Sequence, residues 1–332
     1  MTARPILITS CLLTLLLPLS AKATGWEKLP PLPEPNGGFI CGAVSDQVYV
    51  AGGTLWRGET KIWLSTVWRL NVAAMEWEPL YTLPQPVAYG VAGTRQLPTE
   101  KPPCLFFTGG FSGTVQRELM TALDGKGIKH VAISNMPHTM SLSAGGIVKN
   151  HMVFSGGSDD PGKPSHFSNS TWKINLDTHE VTRLPNYPAG PFGCAASTIA
   201  LGRLHVFGGG KWDPQSEAVV NINEAHAFSM KDNQWHALKP LPFAVRGMSA
   251  VWFYDHIYLA GGYKSDAEGF TDEAFLYNIQ KDEYRPAKPL PYKAMAGLVV
   301  CDGYVYCLGG EDKQKSRTDA CFRIPIKDLL NK

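Results

Sequence analysis

Glu311 and Arg317, near the carboxyl end of the chain, have residue types and a spacing that could support acid–base chemistry on an acidic ligand. Glu311 directly follows a glycine pair, and Arg317 comes six residues later. A carboxylate can transfer protons, and a guanidinium can hold a ligand carboxylate through two parallel hydrogen bonds. The alternative is an ion pair on a charged surface loop, which would carry no chemistry.

Five further residues are candidate substrate-binding groups. Trp56 and Lys61 belong to a loop that mixes aromatic and charged side chains, which suits a sugar because its apolar faces stack on rings while its hydroxyls form hydrogen bonds. A packed loop with a solvated charged edge is the alternative there. Tyr89, Arg246 and Tyr292 stand where first strands of repeats are predicted to begin. Arg246 and Tyr292 could equally connect neighbouring repeats.

The elements that must position these residues are marked by six glycine pairs, each of which ends a short apolar strand. Their spacing of 47 to 57 residues is typical of a kelch-type β-propeller. The surrounding strands alternate apolar and polar residues, as half-buried strands do. We therefore predict an all-β fold, a six-bladed kelch-type β-propeller with four strands in each blade. The pairs are Gly52-Gly53, Gly109-Gly110, Gly156-Gly157, Gly208-Gly209, Gly261-Gly262 and Gly309-Gly310.

The two ends of the chain are predicted to complete each other. The sixth repeat stops after its third strand, at residues 320–324, and the pattern of the missing outer strand occurs at residues 26–30. An amino-terminal strand that completes the last blade would close the ring and remove an exposed edge. This predicts one propeller domain over residues 24–332, with its functional site on the rim where the blade loops converge.

Residues 1–23 have the pattern of a cleavable signal peptide. Arg4 provides a basic start, residues 7–19 are apolar, and residues 21–23 form a small-x-small cleavage site. The apolar run is too short to favour a membrane-spanning helix. We expect a periplasmic or secreted protein with no membrane insertion after the leader is cleaved.

Composition restricts the partners and the chemistry of the remaining chain. The formal charge is +2 and the leader carries two cations, so the mature chain comes to 2 − 2 = 0; this gives no electrostatic case for nucleic acid. The histidines show no metal spacing, and we predict no metal and no cofactor. Six cysteines outside the leader fit buried apolar positions, with disulfides as the open alternative. They are Cys41, Cys104, Cys194, Cys301, Cys307 and Cys321.

The segment 310–322 resembles the active-site segment of the N-acetylneuraminate mutarotases, also called epimerases, which are secreted six-bladed kelch propellers. The shared pattern is Gly-Glu, five residues, Arg-Thr-Asp-Ala and a strand that contains Phe. Residues 58–70, 86–91 and 204–209 resemble other parts of that family. Their order along the chain is rotated, as in the cyclically permuted mutarotase subfamily.

The resemblance implies an isomerase that interconverts the α and β anomers of a free reducing sugar, with N-acetylneuraminate as the expected sugar acid. Glu311 would be the catalytic acid or base, and Arg317 would anchor the substrate carboxylate. Two features depart from the family: residues 263–272 form a short loop in place of a long insertion, and Val87 stands where the family pattern favours Arg. The rival hypothesis is a non-catalytic kelch propeller that binds a glycan or a protein through its loop rim.

Overall fold

The computed structural model of the protein describes residues 25–95, 103–115, 118–136 and 140–331. Within them, six four-stranded antiparallel sheets form the six blades of a β-propeller, which confirms the predicted fold class. The predicted signal peptide, residues 1–23, lies outside the described residues. No helix among the described residues is long and apolar enough to cross a membrane.

Five blades follow one another along the chain, and their strands are bounded as follows. Blade 1 contains Ile40–Val44, Gln47–Ala51, Thr66–Asn71 and Glu76–Thr82. Blade 2 contains Val91–Arg95, Cys104–Thr108, Leu119–Leu123 and Ile128–Ala132. Blade 3 contains Ala144–Val148, His151–Ser155, Thr171–Asn175 and Val181–Leu184. Blade 4 contains Ala196–Ala200, Arg203–Asp213, Ala218–Ser229 and Gln234–Leu238. Blade 5 contains Ser249–Phe253, His256–Ala260, Ala274–Asn278 and Glu283–Pro286.

Blade 6 joins the two ends of the chain. Its strands are Met295–Cys301, Tyr304–Glu311, Thr318–Pro325 and, from the amino end, Glu27–Lys28. Two extra hairpins rise from the blades after their glycine pairs, and a 3-10 turn and one short helix complete the described elements. These are Thr54–Arg57 with Thr60–Trp63 in blade 1, Tyr263–Ser265 with Gly269–Phe270 in blade 5, Pro164–His166, and Ile326–Leu330.

The glycine pairs join each blade to the next. The second glycine of every pair donates its N–H to the carbonyl of a residue just before the next blade's first strand. The first of these bonds joins Gly53 N–H to Val87 O at 2.7 Å, and the last joins Gly310 N–H to Asn36 O at 2.7 Å. Gly310 has a φ of +108°, and a Cβ there would collide with the backbone of Met295. Glycine is therefore required because the backbones approach too closely for a side chain.

The amino-terminal strand closes the ring as predicted. Glu27 and Lys28 pair with Arg323 and Phe322, and the N–H of Leu29 continues the pairing to Cys321 O at 2.8 Å. Leu29 is only 3% exposed and packs in the core between blades 1 and 6. The regular strand is shorter than the predicted 26–29, but the irregular segment after it remains hydrogen-bonded to blade 6.

We expect closure to depend on the buried leucine rather than on the exposed ion pair beside it. Leu29→Ala should lower the free energy of unfolding by about 2–4 kcal/mol, because it leaves a cavity between two blades. Glu27→Gln removes the ion pair between Glu27 and Arg323, in which the Glu27 side chain is 52% exposed. This substitution should lower the free energy of unfolding by less than about 1 kcal/mol. Urea denaturation of both variants measures the contrast, and equal losses would contradict closure by apolar burial.

Candidate functional site

The loops that follow the glycine pairs and the segments that lead into the first strands meet on one face of the ring. They surround an open cavity, here called the cup, with a volume of about 980 Å³. Below it, the first strands line a narrower central channel. Lys61, Trp63, Tyr89, Phe111 and Arg246 contribute to the wall of the cup. Glu311 lines both the cup and the channel.

Glu311 and Arg317 lie together in blade 6 as an ion pair. Arg317 Nη1 is 3.1 Å from Glu311 Oε2, and the Arg317 side chain is only 3% exposed against 30% for Glu311. The same nitrogen donates to the Ser316 carbonyl at 2.7 Å, and the guanidinium packs against Gly37, where a side chain would collide with it. Arg317 Nη1 is thus engaged by Glu311 and by the backbone, whereas Nε of the same guanidinium is buried without a hydrogen-bond partner among the described residues.

Lys61 is held among aromatic rings at the wall of the cup. The hairpin after Gly53 pairs Trp56 with Lys61 and directs the Lys61 ammonium over Trp63 and Tyr89, 4.9 Å from each ring centroid. Trp63 also makes an edge contact with Phe111 at 5.5 Å. Tyr89 adopts a φ of +62°. The arrangement is a cation–π cluster whose positive charge borders the cup.

Arg246 forms a second cation–π contact, on the blade 5 side of the cup. Its guanidinium lies 4.4 Å from the Tyr263 ring centroid, and its Nη1 donates to Asn221 Oδ1 at 2.8 Å. Asn221 also donates to the carbonyls of Tyr263 and Lys264, at 2.7 and 2.6 Å. The extended hairpin of blade 4 therefore fixes the direction of Arg246.

Two of the predicted binding residues do not line the cup. The Tyr292 hydroxyl donates to Gly309 O at 2.8 Å and to Ala320 O at 3.2 Å, and burial raises the pKa of Tyr292. The Tyr292 side chain therefore braces the wall of blade 6, since both acceptors lie in strands of that blade. Trp56 lies on the blade 1 hairpin, 5.9 Å from the Lys61 ammonium, while Trp63 occupies the cup wall instead.

The structure adds cup residues that the sequence interpretation missed. Phe111 and Tyr263, like Glu311, directly follow a glycine pair, so this position is a signal that the sequence contained. Leu142 and Cys194 also line the cup. They occupy the position equivalent to Tyr89 in blades 3 and 4, with φ values of +62° and +56°. That backbone conformation is not evident from their residue types.

The six cysteines outside the leader are all described, and all are free thiols. Burial raises the pKa of Cys194, at the junction of cup and channel, to about 11. Among the described residues, no group of three or more His, Cys, Asp or Glu side chains could hold a metal ion.

No protein-family model matches the chain. Kelch-like protein 35 of Mus musculus is 35% identical over 129 residues, which cover 39% of this chain and 20% of that protein. Kelch-like protein 36 of Bos taurus is 23% identical over 286 residues, 85% of this chain and 44% of that protein. These relatives and the six blades support a kelch-repeat family. The chain spans from about a fifth to less than half of these relatives' lengths.

A third relative, Kelch-like protein terF of Aspergillus terreus, is 24% identical over 259 residues, which cover 71% of this chain and 53% of that protein. All three relatives are named as Kelch-like proteins and none as an isomerase. The prediction of an isomerase is therefore wrong. In the structure Glu311 and Arg317 form an ion pair with each other, an arrangement that a purely structural role also explains.

The Glu311–Arg317 pair should contribute to stability. Glu311→Ala leaves a buried guanidinium without its carboxylate, so we expect the free energy of unfolding to fall by about 2–4 kcal/mol. Lys313→Ala, at an exposed position in the same loop, should change it by less than about 0.5 kcal/mol. Chemical denaturation measures both values. A loss under about 1 kcal/mol for Glu311→Ala would identify the pair as an ordinary surface contact.

Cys194 should react slowly with alkylating reagents, since only the thiolate is nucleophilic. With a pKa of about 11, its alkylation by iodoacetamide at pH 7.5 should be over about a hundredfold slower than that of glutathione. The rate should still rise steeply between pH 8 and pH 10, because deprotonation is incomplete there. Peptide mapping by mass spectrometry follows the site, and a rate that levels off by pH 9 would contradict the raised pKa.

Proposed function

We propose that the protein is a non-catalytic kelch propeller that binds an acidic segment of a partner protein in the cup. Kelch propellers typically bind proteins. The observation that carries the proposal is the pair of cations at the cup wall, Lys61 and Arg246. Each lies over an aromatic ring, and neither forms an ion pair with a carboxylate of the described residues.

Four carboxylates also line the cup, but each has a partner of its own: Asp160 pairs with Lys163, Asp266 accepts from the Tyr263 hydroxyl, Glu311 pairs with Arg317, and Asp312 accepts from Ser316 Oγ. The surroundings of the two cations therefore favour a carboxylate ligand. Aromatic faces stabilise the positive charge while they exclude part of its water shell. A ligand carboxylate therefore meets a cation that has fewer water molecules around it than the ammonium of an ordinary surface lysine. Arg246 uses one N–H in its hydrogen bond to Asn221. A guanidinium carries five N–H donors, so others remain for a ligand. Lys61 and Arg246 belong to blade 1 and to the start of blade 5, on either side of blade 6.

The size of the cup favours a chain segment over a single small ion. Its volume of about 980 Å³ lies at the upper end of the roughly 300–1,000 Å³ of small-molecule sites. Residues from all six blades contribute to its lining. An acidic glycan is the second candidate, because Trp63, Phe111 and Phe270 bring aromatic surface to the cup, and sugar rings stack on such surface.

The test is a selection of ten-residue peptides from a random library on the intact protein. We expect enrichment of Asp and Glu, and the selected peptides should bind at least about tenfold more weakly to Lys61→Gln and to Arg246→Gln, as expected for loss of a charge-assisted hydrogen bond. Lys126→Gln, an exposed cation in the outer turn of blade 2, is the matched control and should stay within about twofold. Fluorescence anisotropy gives the dissociation constants.

The outcomes separate the candidate ligands. Selected peptides without acidic enrichment, or with affinities unchanged in both variants, would refute the acidic-segment proposal. Parallel titrations with N-acetylneuraminate and with an acidic oligosaccharide test the second candidate. Binding of either sugar that depends on Lys61 and Arg246, with no selected peptide, would replace the protein ligand with a glycan.

A further inference from the structure

A chain of backbone hydrogen bonds runs around the top of the central channel. Tyr89 N–H donates to Gly38 O at 2.7 Å, Leu142 N–H to Tyr89 O at 2.9 Å, Cys194 N–H to Leu142 O at 3.0 Å, and Gly247 N–H to Cys194 O at 2.8 Å. All five residues have positive φ values, between +56° and +68°. Each of blades 1 to 5 contributes one member to this chain, here called the axial ring.

The axial ring is broken at blade 6. In each blade, one residue accepts the N–H of the preceding blade's second glycine through its carbonyl, and the member of the axial ring comes two residues later. In blade 6 the accepting residue is Ala294, so the equivalent position is Ala296. Ala296 instead lies in the strand Met295–Cys301, at a shift of register between Met295 and Gly297. Its carbonyl accepts the Ser249 hydroxyl at 2.5 Å rather than the N–H of Gly38.

The break leaves one donor and one acceptor without partners in the described part of the chain: the N–H of Gly38 and the carbonyl of Gly247. Both residues line the channel. By equivalence with the other blades, the Gly38 N–H and the Gly247 carbonyl are directed toward blade 6 from its two sides. Lone backbone groups of this kind are strong hydrogen-bonding sites for a ligand or for water.

The Gly38 N–H and the Gly247 carbonyl would both be satisfied by a ligand that has a hydrogen-bond acceptor on one side and a donor on the other. A secondary amide has this form, because a trans amide directs its carbonyl oxygen and its N–H in opposite directions. The Met295 side chain packs against Gly247, where an added Cβ would collide with it, and it lines both the cup and the channel. A flexible thioether can move aside for a ligand at little cost.

We propose that this break in the axial ring is an amide-binding site at the floor of the cup. The ligand carbonyl accepts from Gly38 N–H, and the ligand N–H donates to the Gly247 carbonyl. The inference deepens the proposed function, since a peptide bond of the bound segment supplies such an amide. The amide chemistry itself follows from the backbone alone, and it does not depend on Lys61 or Arg246.

The test uses N-methylacetamide as the probe and the full-length protein labelled with ¹⁵N-glycine. We expect the Gly38 amide resonance to move saturably during the titration, while that of Gly262, whose N–H is bonded to Ala294, stays in place. Methyl acetate and N,N-dimethylacetamide lack the N–H and should bind roughly two- to tenfold more weakly. Met295→Phe should abolish the shift by filling the break, and Met295→Leu, close in volume to methionine, should bind within about twofold.

No saturable shift of Gly38, equal affinity for the ester and the amide, or an unchanged shift in folded Met295→Phe would each overturn the proposal. The comparison of amide with ester uses the unmodified protein, so it decides even if Met295→Phe fails to fold. Thermal unfolding of both variants checks their folding. A negative N-methylacetamide titration would not contradict binding of acidic peptides, and a negative peptide selection would not contradict the titration. The two measurements depend on different groups of the protein.

Discussion

The hydrogen bond from the second glycine of each pair to the next blade is the interaction on which the rest of the structure depends. It recurs at all six blade junctions, and the last one, from Gly310 to Asn36, joins the two ends of the chain. Because the donor needs a positive φ and its neighbours leave no space for a side chain, only glycine serves there. The residue after each pair is thereby delivered to the rim, where Phe111, Tyr263 and Glu311 line the cup.

The ion pair in blade 6 shows that one local sequence pattern can be explained in two ways. Glu311 and Arg317 have the spacing of a catalytic pair, yet they meet where the amino end of the chain passes, with Gly37 against the guanidinium. Burial of an arginine is costly unless a carboxylate accompanies it. The pair therefore has a structural explanation at the junction of the chain ends, and no reaction is needed to account for it.

The groups proposed to bind a ligand lie in the irregular segments above the blades. The rigid sheets hold the loops, and the loops carry the cations, the aromatic rings and the broken axial ring, as is usual when a scaffold presents a binding site. A kelch propeller can thus change its ligand through loop residues without changing its blades. The curated relatives share the Kelch-like name at low identity over much of the chain, which fits a scaffold of this kind.

The sequence by itself determined the number of blades, the glycine positions and the closing strand, because each depends on a local pattern that repeats along the chain. It also placed Tyr89, Arg246, Lys61 and Glu311 on one rim. Only the tertiary structure decided which side chains enter the cup: Trp63 enters and Trp56 does not, and Tyr292 is bonded into the wall. Those outcomes depend on contacts between residues that are distant in sequence and on the left-handed backbone at the axial ring. Neither is encoded in the type of any single residue.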